Sequence, residues 1–155
     1  MRIYDFFDTD ETGTAEYDLQ GEAYERLLQA CFAHCASVAF LLRSPSVPDP
    51  VGNMSAALPV TDVISAHYRR YAPSPDQLRH YRLTPPVRSA IAQVTSTLFS
   101  WLDGQGFRNP EDPLFLRTDG SVFLSTVIHE GVCTLHAREE EDVSALLDAA
   151  RWFPR

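Results

Sequence analysis

The sequence predicts an α+β fold, one domain over residues 1–155 with a mainly antiparallel twisted sheet and about three helices. Three observations carry this expectation. The tight Thr118-Asp119-Gly120 turn joins apolar runs at Leu114–Arg117 and Val122–His129, and Asp-Gly between such runs marks a β-hairpin. Apolar residues recur at helical spacing in two earlier segments. Connections after Leu114 are too short for parallel crossovers, so the sheet there is antiparallel.

Met1–Phe7 is rich in strand-forming residues and reads as a first strand, ended by Asp8. An acidic loop follows to Asp18. Gln20–His34 reads as a helix, with Tyr24, Leu27, Leu28 and Cys31 on one face, Asp18 as its cap and Glu22 and Glu25 at its positive end. Cys35–Arg43 fits either a continued helix or a buried strand; closure by Ser44-Pro45 favours the strand, from Ser37. Ser44–Pro59, with prolines at 45, 48, 50 and 59, reads as a long loop.

Val60–Tyr71 alternates and is expected to be a strand, and Tyr71–Leu83, with Pro73 and Pro75, a second loop. Thr84-Pro85-Pro86 opens a helix whose stripe runs Val87, Ile91, Val94, Leu98 and Trp101/Leu102, with Asp103-Gly104 as its stop. A turn-rich stretch, Gly104–Pro113, leads to the hairpin. Gly131 turns the chain into a strand at Val132–Ala137, and a last helix is expected over Glu139–Ala150.

The formal charge of −8 excludes a general nucleic-acid or membrane-surface binder, since either needs a basic face. The charge is uneven. Residues 1–25 hold eight carboxylates against Arg2, whereas His67–Arg88 holds five arginines against Asp76. Those arginines, interleaved with Tyr68, Tyr71 and Tyr81, resemble a phosphate-binding surface; internal pairing with the acidic segments is the preferred account. All thirteen basic residues are arginine, which a GC-rich coding bias explains more simply than thirteen separate demands for a guanidinium. Three cysteines, an odd number, fit reduced core thiols, and the first residues lack a signal-peptide core. A soluble cytoplasmic protein is therefore expected.

Candidate chemistry is sparse. Asp8-Thr9-Asp10-Glu11-Thr12-Gly13 matches the start of an EF-hand loop, but Leu19 stands where the closing glutamate belongs. His129-Glu130-x-x-Cys133-x-x-His136 resembles a zinc motif, but strand geometry would separate its imidazoles. No nucleophile elbow, P-loop or dinucleotide fingerprint is present. The expectation is no catalytic set, no cofactor and no metal.

The residues Pro110-Glu111-Asp112, Phe115-Leu116-Arg117-Thr118-Asp119-Gly120 and His129-Glu130 form a specific pattern. It resembles that of a group of small acidic bacterial proteins sharing Pro-Glu-Asp…Phe-x-Arg-x-Asp-Gly…His-Glu. The resemblance implies no activity and no catalytic residue. In size and charge such proteins are similar to immunity proteins that neutralise toxins. Physically, Arg117 and Glu130 are placed to form an ion pair that fixes hairpin register.

Two functions follow as expectations. The first is a non-enzymatic protein-binding domain, an immunity-type inhibitor that meets a basic toxin through Asp8, Asp10, Glu11, Glu16 and Asp18. The second is a small enzyme or ligand-binding domain with a pocket around Arg117, His129 and Glu130.

Overall fold

In the computed structural model, residues 1–14, 16–71, 74–101 and 109–155 are described. Among them the strands are β1 (Arg2–Phe7), β2 (Ser37–Leu41), β3 (Leu78–Arg82), β4 (Glu111–Leu116), β5 (Val122–Val127), β6 (Val132–Ala137) and β7 (Phe153–Pro154). They form one antiparallel sheet in the order β3-β2-β4-β5-β6-β1-β7. The helices are α1 (Glu22–His34), α2 (Asp62–Tyr68), α3 (Pro85–Ala92) and α4 (Ser144–Ala149). The fold is α+β, as the sequence predicts.

The sheet separates two cores. On one face α1 packs beside α4 and over β5, and Leu27, Cys31, Val38, Phe40, Phe115, Phe123 and Leu135 join Ile91 and Trp101. The other face is covered by α2, whose Ile64 and Tyr68 sit on Ala39, Leu41, Leu114 and Leu116. Both cores meet at β2, which is buried along its whole length. That explains why Ser37–Leu41 reads as a continuous apolar run, with no polar face to show its period. At the hairpin, Phe115 pairs with Leu124 and Leu116 with Val122, so a bulge turns the intervening Phe123 into the larger core.

Val60–Tyr71, expected as a strand, contains helix α2. Thr61 caps it by accepting the Ile64 amide at 3.4 Å, and Asp62 sits in its first turn. Ile64 and Tyr68 are four residues apart, a spacing that places both on one face under a period of 2 and under a period of 3.6. Asp62 and Ala66, the intervening members of the supposed strand face, are exposed. The expected loop Tyr71–Leu83 contains β3, whose outer edge is covered where the Leu58 amide donates to the His80 carbonyl at 2.7 Å.

Other boundaries also shift. The helix opened by Thr84-Pro85-Pro86 ends at Ala92, and Trp101 reaches the core from a separate 3-10 turn, Phe99–Trp101. Its expected stop, Asp103-Gly104, lies outside the described residues, as do Leu102, Pro73 and most of the turn-rich stretch after Gly104. Glu111–Pro113 belong to β4 rather than to that turn, and His129 falls in a 3-10 turn beyond β5. The last helix starts at Ser144 and not Glu139, because Glu141 is drawn into an ion pair and Asp142 accepts the Ser144 amide at 3.0 Å. Asp18 does not cap α1: the cap position is Gly21, and the Asp18 carboxylate accepts the Phe99 amide at 3.1 Å. Among the described residues no helix is long and apolar enough to cross a membrane.

Candidate functional site

The site is assembled from β1, the acidic loop and β7. Alternation along β1 sends Tyr4 and Phe6 into the larger core and leaves Ile3, Asp5 and Phe7 on the opposite face. Asp5 is buried there but fully engaged. It accepts the Thr134 hydroxyl at 2.7 Å and a forked pair from Arg155, at 2.9 and 2.8 Å. A forked arginine matches a carboxylate in both shape and charge, which makes burial of Asp5 tolerable.

The loop from Asp8 is folded by its own side chains. The Asp10 carboxylate accepts the amides of Thr12 (3.2 Å) and Thr14 (2.9 Å) and the Thr12 hydroxyl (2.9 Å). Gly13, at φ +67°, makes the reversal. A bridge between Thr9 and Glu16 closes the loop, and the Tyr17 amide donates to the Asp8 carbonyl at 2.6 Å. The chain thus returns Tyr17 to the strand end that carries Phe7. From the other side β7 pairs with Tyr4 and Asp5, which sets Phe153 against Phe7 with ring centroids 5.9 Å apart.

The result is a hollow of about 300 Å³ whose lining includes Phe7, Tyr17 and Phe153, with Asp10 and Glu11 also lining it beside Arg151 and Arg155. The three rings are 39%, 37% and 38% exposed, and they are three of the seven exposed large apolar side chains among the described residues. Isolated exposed rings need no explanation; three around one cavity with acids beside them do. The two arginines are partly occupied: Arg155 by Asp5, and Arg151 by the Phe153 ring, 4.8 Å from its centroid. Glu11 is exposed and has no ion-pair partner among the described residues. Its charge is available to a ligand.

The expected acidic patch therefore divides. Asp10 and Glu11 line the hollow, and Glu16 lies across the bridge, exposed. Asp8 abuts Gly131 instead, its amide donating to the Gly131 carbonyl at 2.9 Å, and Asp18 is held to Phe99. Phe7, Tyr17 and Phe153 carry no site signature in the sequence. Their only visible trace is an aromatic at the end of β1, one inside an acidic loop and one in the final Arg-Trp-Phe-Pro-Arg.

Arg117, His129 and Glu130 do not converge. Arg117 follows β4 at the turn end of the hairpin, and His129 follows β5 at the opposite end. Arg117 is 5% exposed and forks onto Glu141 at 2.6 and 2.7 Å, replacing the expected pair with Glu130. It also donates to the Val122 and His136 carbonyls and lies over the Phe123 ring. This fork holds the Glu141 carboxyl below its ordinary range. His129 packs edge-on to Tyr71 and lies 3.9 Å from Glu130. Of the arginines of 67–88, Arg79 pairs with Asp49 and Arg88 donates to the Leu83 carbonyl, so these two do not meet the acidic segments expected to pair with them.

Two buried polar groups stand apart from the hollow. Asp112, at φ +52° and fully buried, accepts the Ile128 amide through Oδ1 at 2.6 Å, while Oδ2 has no partner. Burial pushes its carboxyl up to about 6. His80 lies between the Pro59 carbonyl (2.7 Å) and the Ser37 hydroxyl (2.9 Å). A Ser-His pair is the start of a nucleophilic set, but here both side chains are buried and the imidazole ties the Leu58–Pro59 segment to the sheet edge. Cys31, Cys35 and Cys133 are free and buried, with thiols pushed up by desolvation, the opposite of an activated nucleophile. No group of three or more His, Cys, Asp or Glu suited to a metal ion occurs among the described residues. No protein-family model, curated protein or solved structure matches the chain.

Proposed function

We propose that this chain is a protein-binding domain of the immunity type, which meets a basic toxin domain through the hollow between β1, the acidic loop and β7. The observation that carries this reading is the meeting of three half-exposed rings with Asp10 and Glu11. Protein interfaces concentrate their binding energy in a few aromatic anchors surrounded by polar groups, and opposite charge speeds the encounter. The net charge of −8 supports a basic partner, since it accelerates approach from all directions. The domain acts by covering its partner, with no chemistry of its own.

The test is parallel capture from an extract of the source cell with the wild type and with Glu11→Gln/Tyr17→Ala as baits. A basic protein retained by the wild type and lost from the variant supports the proposal. Equal retention by both baits removes the hollow from the interface. Recovery of no stoichiometric protein by either bait overturns the binding function itself. A toxin gene adjacent to the coding gene is the independent genomic expectation.

A further inference from the structure

We infer that the side chain received by this hollow is an arginine on the basic partner, and that Arg151 competes for the same aromatic seat. The inference rests on the protein-binding reading above and names the chemistry that the site selects. The hollow, about 300 Å³, is at the small end of ligand cavities, the size of a side chain rather than of a cofactor.

Its walls already display both ways in which a guanidinium is recognised. Arg151 places its guanidinium carbon 4.8 Å from the Phe153 centroid, at stacking distance. Arg155 makes the planar fork onto Asp5, two hydrogen bonds of 2.9 and 2.8 Å to one carboxylate. A lysine ammonium is a compact, strongly hydrated point charge and has no flat face to lay against a ring. Phe7, Tyr17 and Phe153 offer faces, and Glu11 offers a carboxylate beside them that has no ion-pair partner among the described residues. An incoming arginine therefore stacks among the rings and directs its fork at Glu11. Arg151 is exposed and its ring contact is on the surface, so it is displaced without unfolding anything.

The test uses the intact protein and two nonapeptides, each with three basic residues spaced by glycine and serine, one carrying arginine and the other lysine. Binding is read by intrinsic fluorescence and by titration calorimetry, with thermal melts to show that each variant is folded. The arginine peptide is expected to bind about tenfold more tightly than the lysine peptide, and Phe153→Ala or Tyr17→Ala to remove that difference. Arg151→Gln is expected to tighten the arginine peptide about threefold more than the lysine peptide, because the seat is vacated as well as the charge removed. Equal affinity for the two peptides in the wild type overturns the arginine assignment. If both then weaken in Glu11→Gln, the acidic interface of the proposed function still stands. Equal tightening of both peptides by Arg151→Gln shows a charge effect alone and overturns the competition. Failure of the arginine peptide to bind overturns the inference, while partner capture decides the protein-binding function independently.

Discussion

Replacing Arg117 with methionine should remove a large part of the stability of this fold. Arg117 is 5% exposed, and its partner side chain, Glu141, is 9% exposed. Deleting the guanidinium leaves the Glu141 carboxylate with only the Arg138 amide, at 2.7 Å, and strips a donor from the Val122 and His136 carbonyls. Breaking a buried ion pair from one side costs about 3–5 kcal/mol, because the surviving charge stays desolvated. For a domain stabilised by about 5–15 kcal/mol this is about a fifth or more of the total. With a urea slope of about 2 kcal/mol per molar, the midpoint should fall by about 2 M. Glu141→Gln should cost a similar amount from the other side. The double variant Arg117→Met/Glu141→Leu should recover part of the loss, since no charge then remains buried while methionine still covers the Phe123 ring. Equilibrium urea unfolding of the four proteins gives the coupling directly. A single-variant loss below about 1 kcal/mol, or losses that simply add, would refute the reasoning that this pair anchors the hairpin to the segment before α4.

Two further outcomes follow from local geometry. The Asp112 carboxyl is pushed up to about 6 from 3.8, so the folded state binds its proton more tightly than the unfolded chain. The resulting stabilisation, about 3 kcal/mol, is present below pH 4 and is lost as pH rises through 6. In urea melts the stability of the wild type relative to Asp112→Asn should therefore fall between pH 4 and 7, a comparison that cancels the opposing rise from His67 and His136, whose burial pushes their imidazoles down; parallel curves would contradict this. Gly131 stands at φ +66°, and a Cβ there would lie 2.0 Å from the Asp8 carboxylate. Gly131→Ala should cost about 2 kcal/mol or more in thermal or urea unfolding, from the left-handed backbone together with the collision. Asp8→Ala should restore the steric part in the double variant, leaving about 1 kcal/mol. Failure of Asp8→Ala to rescue would show that the acidic loop is not seated against the β5–β6 turn.

Much of the scaffold was legible because its signals are local. Asp119-Gly120 and Gly131 mark their turns, with Gly120 at φ +80°, and the Tyr24, Leu27, Leu28, Cys31 stripe places α1 on the sheet. Sequence and structure part where local pattern and tertiary context disagree. Ile64 and Tyr68 satisfy two periods at once, and only the cap at Thr61 separates a helix from a strand. β3, Leu-Arg-His-Tyr-Arg, is an edge strand rich in charge, and β7 is two residues long, so neither has a pattern of its own. The acidic half of the candidate site was readable as charge. Its aromatic half was not, because Phe7, Tyr17 and Phe153 come from positions 146 residues apart at the extremes and meet only through β1–β7 pairing and closure of the acidic loop. Arg117 and His129 looked adjacent because a hairpin brings residues together in sequence, whereas its strands carry them to opposite ends.

The central claim is that the hollow between β1, the acidic loop and β7 is the protein-binding surface, and amide hydrogen exchange with the captured partner tests it most directly. Slowed exchange at Phe7–Thr14, Glu16, Tyr17 and Arg151–Phe153 on complex formation, with α2 and α3 unchanged, is the predicted result. Protection confined to α2, α3 or the His129 turn, with the amides around the hollow unaffected, would contradict the account.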